Sequence, residues 1–309
     1  MSMNQAQIRV IDPILSTVVQ GYSNAQMVGS ALFPAVPVEV AGGQIIEFGK
    51  EAFQLYDTRR APGAATKRIS AGYLGRPYAV EGHALEALVP LELSRDAQLV
   101  PGIDLAGLHV KLVQDIHLTT LEVQQAGIAR NAANYDVNHK VALTGVKKWS
   151  DITSKPLTDV LAAKEAIRAS CGQYPTVMLI SAKVFAALQA NTSVQARFQY
   201  TSSASVTTDM LANFFGIPKV VVGAAVTASD AGVFSDIWGL DVVLGFVPQS
   251  LSTIQQPSFA YTYTMRGNPF VKTPYLDNNR ESWVYGVHFE RVPVLTGMQS
   301  GFLIQNAAA

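Results

Sequence analysis

Two strand-like stretches, Gln44–Phe48 and Gly72–Val80, enclose a long polar run with a turn signal at Pro62-Gly63. A lone two-stranded ribbon of this kind is marginal in water, because neither face is covered. The segment before it has the same difficulty. Residues 1–42 carry Pro13, Pro34 and Pro37, which break any long helix, and Ala41-Gly42-Gly43 closes the stretch. Val36–Val40 alternates weakly, and a short helix is expected over Ser23–Ala31 with Ser23 or Asn24 as its cap. An apolar, irregular arm buries little against itself and needs a surface, its own chain's or a neighbour's. Any fold for this chain must therefore cover residues 1–80, which cannot cover themselves.

Composition bears on where that cover comes from. Charged residues are 15% of the 309, against about 25% in an ordinary soluble domain. Mean hydropathy is +0.19, yet the longest apolar runs, near Lys219–Val226 and Asp241–Val247, fall far below the roughly 18 residues of a membrane span. Met1–Val10 lacks a basic stretch followed by an apolar one, so no signal peptide and no membrane partner are expected. Two readings fit: copies of the chain cover much of its surface, or a monomer presents a surface rich in Ser, Thr, Gln and Asn. The 23 basic and 23 acidic residues cancel, which argues against a strongly basic nucleic-acid binder. One cysteine, Cys171, excludes an internal disulfide framework. The length suits about two domains.

The charges are not evenly spread. Between Asp57 and Arg76 stand Arg59, Arg60, Lys67, Arg68 and Arg76 against a single acid. The next stretch reverses the sign, with Glu81, Glu86, Glu92, Asp96 and Asp104 against Arg95. One reading lays the basic ribbon of one copy over the acidic stretch of another. The other is a solvated loop beside a solvated helix, since exposed pairs contribute only about 0–1 kcal/mol.

Residues 103–134 carry the clearest helical pattern. Leu105, Leu108, Leu112, Ile116, Thr119, Val123 and Ala126 recur at three- and four-residue spacing, with Asp104 as cap or first-turn acid. At about 1.5 Å per residue the rod is near 48 Å. Leu118 and Leu121 lie off the stripe, so packing on more than one side is expected. Residues 156–247 read as an α/β unit: a helix from Pro156 ending at Cys171-Gly172, a strand at Thr176–Ile180, a helix capped by Ser181, and a helix at Thr208–Phe215. Strands are expected at Lys219–Val226, Val233–Trp238 and Asp241–Val247. Phe259–Met265 and Trp283–Val292 alternate, a return to β structure.

Chemistry-bearing motifs are missing. Five residues intervene between Gly43 and Gly49-Lys50 where a phosphate loop has four, and Glu51 replaces the metal-holding hydroxyl. There is no G-x-G-x-x-G after a strand, no H-E-x-x-H and no G-x-S-x-G. His109 and His117 read as ordinary helix residues, and Cys171 as a helix-end thiol. The sequence nominates no catalytic residue, cofactor or metal, and an α/β enzyme or ligand-binding protein would need a polar cleft that nothing here supplies.

The segments Gly21-Tyr-Ser-Asn24, Ala31-Leu-Phe-Pro-Ala-Val-Pro-Val38, Phe48-Gly-Lys-Glu-Ala-Phe53 and Thr58-Arg-Arg-Ala-Pro-Gly63 resemble the major capsid proteins of tailed bacteriophages. The order arm, ribbon, long helix, α/β unit, β return matches as well. The resemblance implies an α+β chain with the Hong Kong 97-like capsid fold. Its parts would be an N-terminal arm at 1–42, an extended β-hairpin loop at 43–80, and a peripheral domain at 81–155 with its spine helix at 103–134. An axial domain would follow at 156–247, and 248–309 would complete the peripheral domain. It further implies a virion structural protein, assembled in the bacterial host cytoplasm into hexamers and pentamers of an icosahedral shell around double-stranded DNA, which it would touch weakly and non-specifically. Partners would be itself, a portal and, as an optional addition, a decoration protein. No scaffolding segment is matched before the arm, so a separate scaffolding protein is expected. An encapsulin-like shell enclosing protein cargo shares the fold and is the near alternative. Contacts between copies are expected to involve Arg59, Arg60, Lys67, Arg68, Arg76, Glu81, Glu86, Glu92 and Asp96.

Overall fold

A computed structural model describes residues 27–47, 55, 58–63, 65–66, 68, 74–98, 104–198, 206–248 and 258–308. After a single 3-10 turn at Gly29–Ala31 come β1 (Ala35–Val38), β2 (Gly42–Glu47) and β3 (Leu74–Ala79). β2 and β3 pair antiparallel from Gly42↔Ala79 to Glu47↔Leu74, which is the ribbon read from the sequence. Past Val80, β3 runs on into β4 (Glu81–Pro90) and then α1 (Leu91–Gln98). The long helix α2 (Leu105–Ala129) starts where Asp104 accepts the Gly107 N–H at 3.0 Å. Its 25 residues span about 37 Å.

β5 (Lys140–Ala142) follows, then α3 (Pro156–Cys171), with Pro156 in its first turn and Gly172 closing it in the left-handed conformation at φ 72°. β6 (Val177–Ser181) leads into α4 (Ala182–Ala190), whose N-terminal amide at Val184 is capped by the Ser181 hydroxyl. α5 (Thr192–Phe198) and α6 (Thr208–Phe215) precede β7 (Lys219–Gly223), β8 (Val226–Ala228), β9 (Phe234–Asp236) and β10 (Val242–Gly245). The remainder is β11 (Ala260–Met265), β12 (Phe270–Val271), β13 (Tyr275–Asp277), β14 (Ser282–Leu295) and β15 (Gly301–Gln305).

Among the described residues the strands form two main sheets. One has six strands around β14: β11, β12 and β13 pair with it, β1 extends the sheet in parallel beside β11, and β4 pairs from Ser282↔Pro90 to Arg291↔Glu81. α2 lies on this sheet, where Nε2 of His117 donates to the Val287 carbonyl at 3.2 Å. The other sheet has five strands in the order β5-β15-β10-β6-β7. β5, β15, β6 and β7 run in one direction and β10 against them. Thus β5 and β15, which lie outside 156–247, are strands of the α/β unit's own sheet.

Both faces of the five-stranded sheet are covered, which explains its unbroken apolar runs. Met178, Ile180, Val242, Leu244 and Ile304 point into a core with Trp149, Val160, Ile167, Leu188, Leu211 and Phe215. Their neighbours Val177, Leu179, Val243 and Leu303 point the other way, onto Ala126 and Ala129 of α2 and onto Leu32 and Phe33. The two-residue period of a strand sorts the side chains between these cores.

The end of the arm is therefore covered by its own chain. Leu32 is 0% and Phe33 1% exposed, and Phe33 meets Phe259 edge-on with ring centres 6.0 Å apart. Val36 and Val38 pack on Tyr261 and Tyr263, and Tyr78 stacks on Tyr263 at 4.4 Å, which anchors the base of the ribbon. Of the expected helix over Ser23–Ala31, residues 23–26 lie outside the described residues, Met27 and Val28 are not helical, and Gly29–Ala31 forms only a 3-10 turn. α5 has no sequence signal strong enough to anticipate it.

The stripe read on the long helix is only partly inward: Ala126 is buried and Leu105, Leu108 and Thr119 are half-buried, but three of its members face out. The buried side of α2 is Val113, His117, Glu122, Gln125, Ala126 and Ala129, whereas Leu112, Ile116 and Val123 are exposed at 48%, 44% and 41%. Phe33→Ala should cost the isolated subunit about 3–5 kcal/mol in chemical denaturation. An unchanged midpoint would place the arm end somewhere other than in its own core.

Candidate assembly surface

The surface begins with what fixes its underside. Glu122, 2% exposed, accepts from the Val28 N–H at 3.1 Å, from the Gly29 N–H at 3.0 and 2.9 Å, and from the Trp238 indole at 2.6 Å. One carboxylate thus joins the arm end, the long helix and the α/β unit. Gly29 is required by this contact, since a Cβ there would collide with Gln125 and Glu122. Beside it, the Gln125 amide donates to Thr262 Oγ1 at 3.0 Å. At the far end of α2, Arg130 donates to Asp241 at 2.7 Å and to the Ile237 carbonyl at 2.8 Å, while Asp241 also accepts the Asn306 N–H.

With α2 held this way, its apolar ridge of Leu112, Ile116 and Val123 faces outward. Leu85 and Leu88 of β4 and Leu93 of α1 are likewise exposed. β4 is also an edge: among the described residues its only strand partner is β14. A ten-residue edge with exposed leucines offers free backbone donors and acceptors to another chain.

The charged residues read from the sequence fall on separate elements. Arg59, Arg60 and Arg68 are exposed on the ribbon side, and Lys67 lies outside the described residues. Arg76 takes the β3 position opposite Ile45. Among the acids, Glu81 and Glu86 are exposed at strand positions of opposite parity, so β4 turns them to opposite faces. Glu86 shares its face with Leu88 and accepts from the Tyr275 hydroxyl at 3.4 Å. Glu92 is exposed in the first turn of α1; Asp96, one turn on, is half-buried with Arg95 at 3.7 Å. The acids therefore form two patches rather than one strip.

One charge has no answer among the described residues. Arg291 is 0% exposed, and its guanidinium nitrogens have no hydrogen-bond partner among the described residues; it rests over the Phe289 ring at 4.5 Å. Desolvation pushes its pKa down to about 10. Thr264 directly across the strand pair is also buried with an unpartnered hydroxyl. His83 and His117 lie close enough to feel Arg291. Burial first, then that charge, lowers His83; burial chiefly lowers His117, against the raising effect of its Val287 bond. Sequence reading passed over Arg291, because strand alternation alone does not say which face is dry.

Among the described residues no group of three His, Cys, Asp or Glu is placed to hold a metal, and no helix is long and apolar enough to cross a membrane. Comparison with known proteins agrees with a surface built for copies of itself. Residues 131–279 match the family model described as phage major capsid protein E. The chain is 33% identical over 304 residues to the major capsid protein of Burkholderia phage BcepMu, covering 97% of each. It is 46% identical to a phage-related protein of Bordetella bronchiseptica RB50 known from a crystal structure, with a TM-score of 0.78 over 97% of this chain and 98% of that one. The capsid structure of cyanophage P-SCSP1u, at 9% identity, shares the fold with a TM-score of 0.61 over 92% and 89% of the two chains. The architecture is the Hong Kong 97-like one.

Two outcomes follow from the charges under α2. Arg291→Met should leave subunit stability unchanged or raise it by about 1–4 kcal/mol in urea unfolding, because an unpaired buried charge is removed. A clear loss would mean that the guanidinium has a partner. His83 and His117 have folded pKa values below the unfolded value of 6.5. Their contribution is present above about pH 6.5 and is lost as pH falls below it, at up to about 1.4 kcal/mol per pH unit for each. Stability measured from pH 7.5 to 5 should fall, and a variant carrying His83→Gln and His117→Gln should show a flatter profile.

Proposed function

The chain belongs to the phage major capsid protein family, and from that footing we propose that its copies close as hexamers and pentamers into an icosahedral shell around packaged double-stranded DNA. The family is one of structural proteins, and the molecule's place is the virion. The observation that carries the reading is the identity to a phage's major capsid protein, sustained over 97% of both chains. That identity favours a shell for a genome over one for protein cargo.

Within the shell, the family parts would be the arm at 1–42, the extended loop at 43–80, the peripheral domain at 81–155 and 248–309, and the axial domain at 156–247. Sheet pairing supports counting β5 and β15 with the axial unit. Arg59, Arg60, Arg68, Arg76 and Lys67 would set register against Glu81, Glu86, Glu92 and Asp96 of another copy, giving specificity more than affinity. The outward ridge on α2 and the β4 leucines supply apolar area for the same contact. A separate scaffolding protein, a portal and, as an optional addition, a decoration protein complete the partners. The 23:23 charge balance suits weak, non-specific contact with DNA.

Negative-stain microscopy of the expressed protein should show closed particles or capsomers; a uniform 33.2 kDa monomer at all concentrations would contradict the reading. A variant with Arg59→Glu and Arg60→Glu should lose most of its particle yield while unfolding at the wild-type midpoint. Normal particles from it would remove the register role.

A further inference from the structure

β8 and β9 form a hairpin detached from the main sheets, paired from Val226↔Asp236 to Ala228↔Phe234. Residues 228–235 are all exposed, and the tip carries Val233 at 65% and Phe234 at 71% exposure next to Asp230. Its conformation is set: the Ser229 N–H donates to the Val233 carbonyl at 2.9 Å, the Gly232 N–H donates to the Ser229 carbonyl at 2.8 Å, and Gly232 takes φ 76°. The root is pinned by buried Trp238 and by Lys183 at 2.8 Å from Asp236. A fixed projection with two large apolar side chains at its end has no cover among the described residues of its own subunit.

A second exposed apolar feature lies across the molecule. The turn after β5 presents Val146 at 67% exposure, flanked by Lys147 and Lys148, and Ile152 follows at 66%. This loop too is fixed, by the Trp149 N–H to the Ala307 carbonyl at 2.7 Å and by the Thr192 hydroxyl to the Ile152 carbonyl at 2.8 Å. Its acid, Asp151, accepts from the N–H and hydroxyl of the exposed Thr153, which hold its carboxyl below the usual range and so keep it charged. Lys147 and Lys148 next to Val146 outnumber this one acid, so the loop is net basic, whereas the hairpin tip carries an acid; at the hairpin root Asp236 is already matched by Lys183.

The placement of the two features matters. β5 and β7 are the two edges of the five-stranded sheet and run in the same direction. The Val146 turn follows β5 and the hairpin follows β7, so both lie beyond the same end of the sheet, four strand spacings or about 19 Å apart. Two different, complementary patches on opposite sides of one body make a head-to-tail contact, which repeats around a ring.

We infer that the Val233–Phe234 tip of one copy seats on the Val146–Ile152 loop of the next, with Asp230 facing Lys147 and Lys148. The occupant is a second copy of this chain, and the inference rests on the ring-forming reading above. It adds a contact made by the α/β unit alone, separate from the ribbon and the long helix. The apolar tip supplies the contact area, and the opposite charges favour this pairing over tip against tip.

The test places Val146→Cys and Val233→Cys together in a Cys171→Ser background and treats assembled protein with a short bismaleimide. A denaturing gel should show a ladder rising to five and six chains, absent from either single-cysteine variant. Assembled particles that yield only single chains would overturn the inference. A second variant, Val233→Asp with Phe234→Asp, should lose most capsomers while its unfolding midpoint stays at the wild-type value, because both positions are exposed. Wild-type particle yield from it would also overturn the contact. If the parent chain itself gives no capsomers, the shell reading fails first, which negative-stain microscopy of the same sample shows.

Discussion

The Glu122 carboxylate is the contact on which the rest of the subunit turns. Two backbone amides of the arm end and the Trp238 indole converge on it inside the protein. Each buried donor left unmet would cost about 1–3 kcal/mol, and a buried carboxylate without donors would cost more. The three segments therefore hold together as a set. Because the arm end, the long helix and the α/β unit meet here, Leu32 and Phe33 are drawn between the two sheets. The same contact fixes the rotation of α2 about its own axis.

That rotation decides what the molecule shows to others. Polar side chains, Glu122, Gln125 and His117, occupy the inner face because each finds a partner from a distant segment. The ridge of Leu112, Ile116 and Val123 is left outside, together with a ten-residue strand edge. A subunit finished inside and unfinished outside is what a shell protein requires. On the proposed reading it would fold before it assembles and gain stability from each neighbour. The low charge content fits the same account, since surface destined for a neighbour does not need charges for solubility. Arg291 is the exception inside, a buried cation that the chain tolerates beneath the long helix.

Much of this was legible in local sequence. Asp104, Ser181 and Gly172 mark helix ends where they stand, and the short unbroken apolar runs at Val177–Ile180 and Val242–Leu244 mark strands. The ribbon was readable because its two arms and its turn are separate signals. The orientation of α2 was not. The helix is apolar on more than one side, and the contact that selects the buried side joins residues 93 and 116 positions apart. Likewise, β15 gives no local sign that it joins β10 and β5 rather than the neighbouring six-stranded sheet. The acids of 81–96 form a run in sequence, but strand parity separates Glu81 from Glu86, and no charge count could show that.

The central claim is that the outward ridge of the long helix and the β4 edge are finished only by sister copies. A cryo-electron microscopy map of particles assembled from this chain tests it most directly. The account predicts side chains of another copy in van der Waals contact with Leu112, Ile116 and Val123. A map in which that ridge faces open solvent in every copy would contradict it.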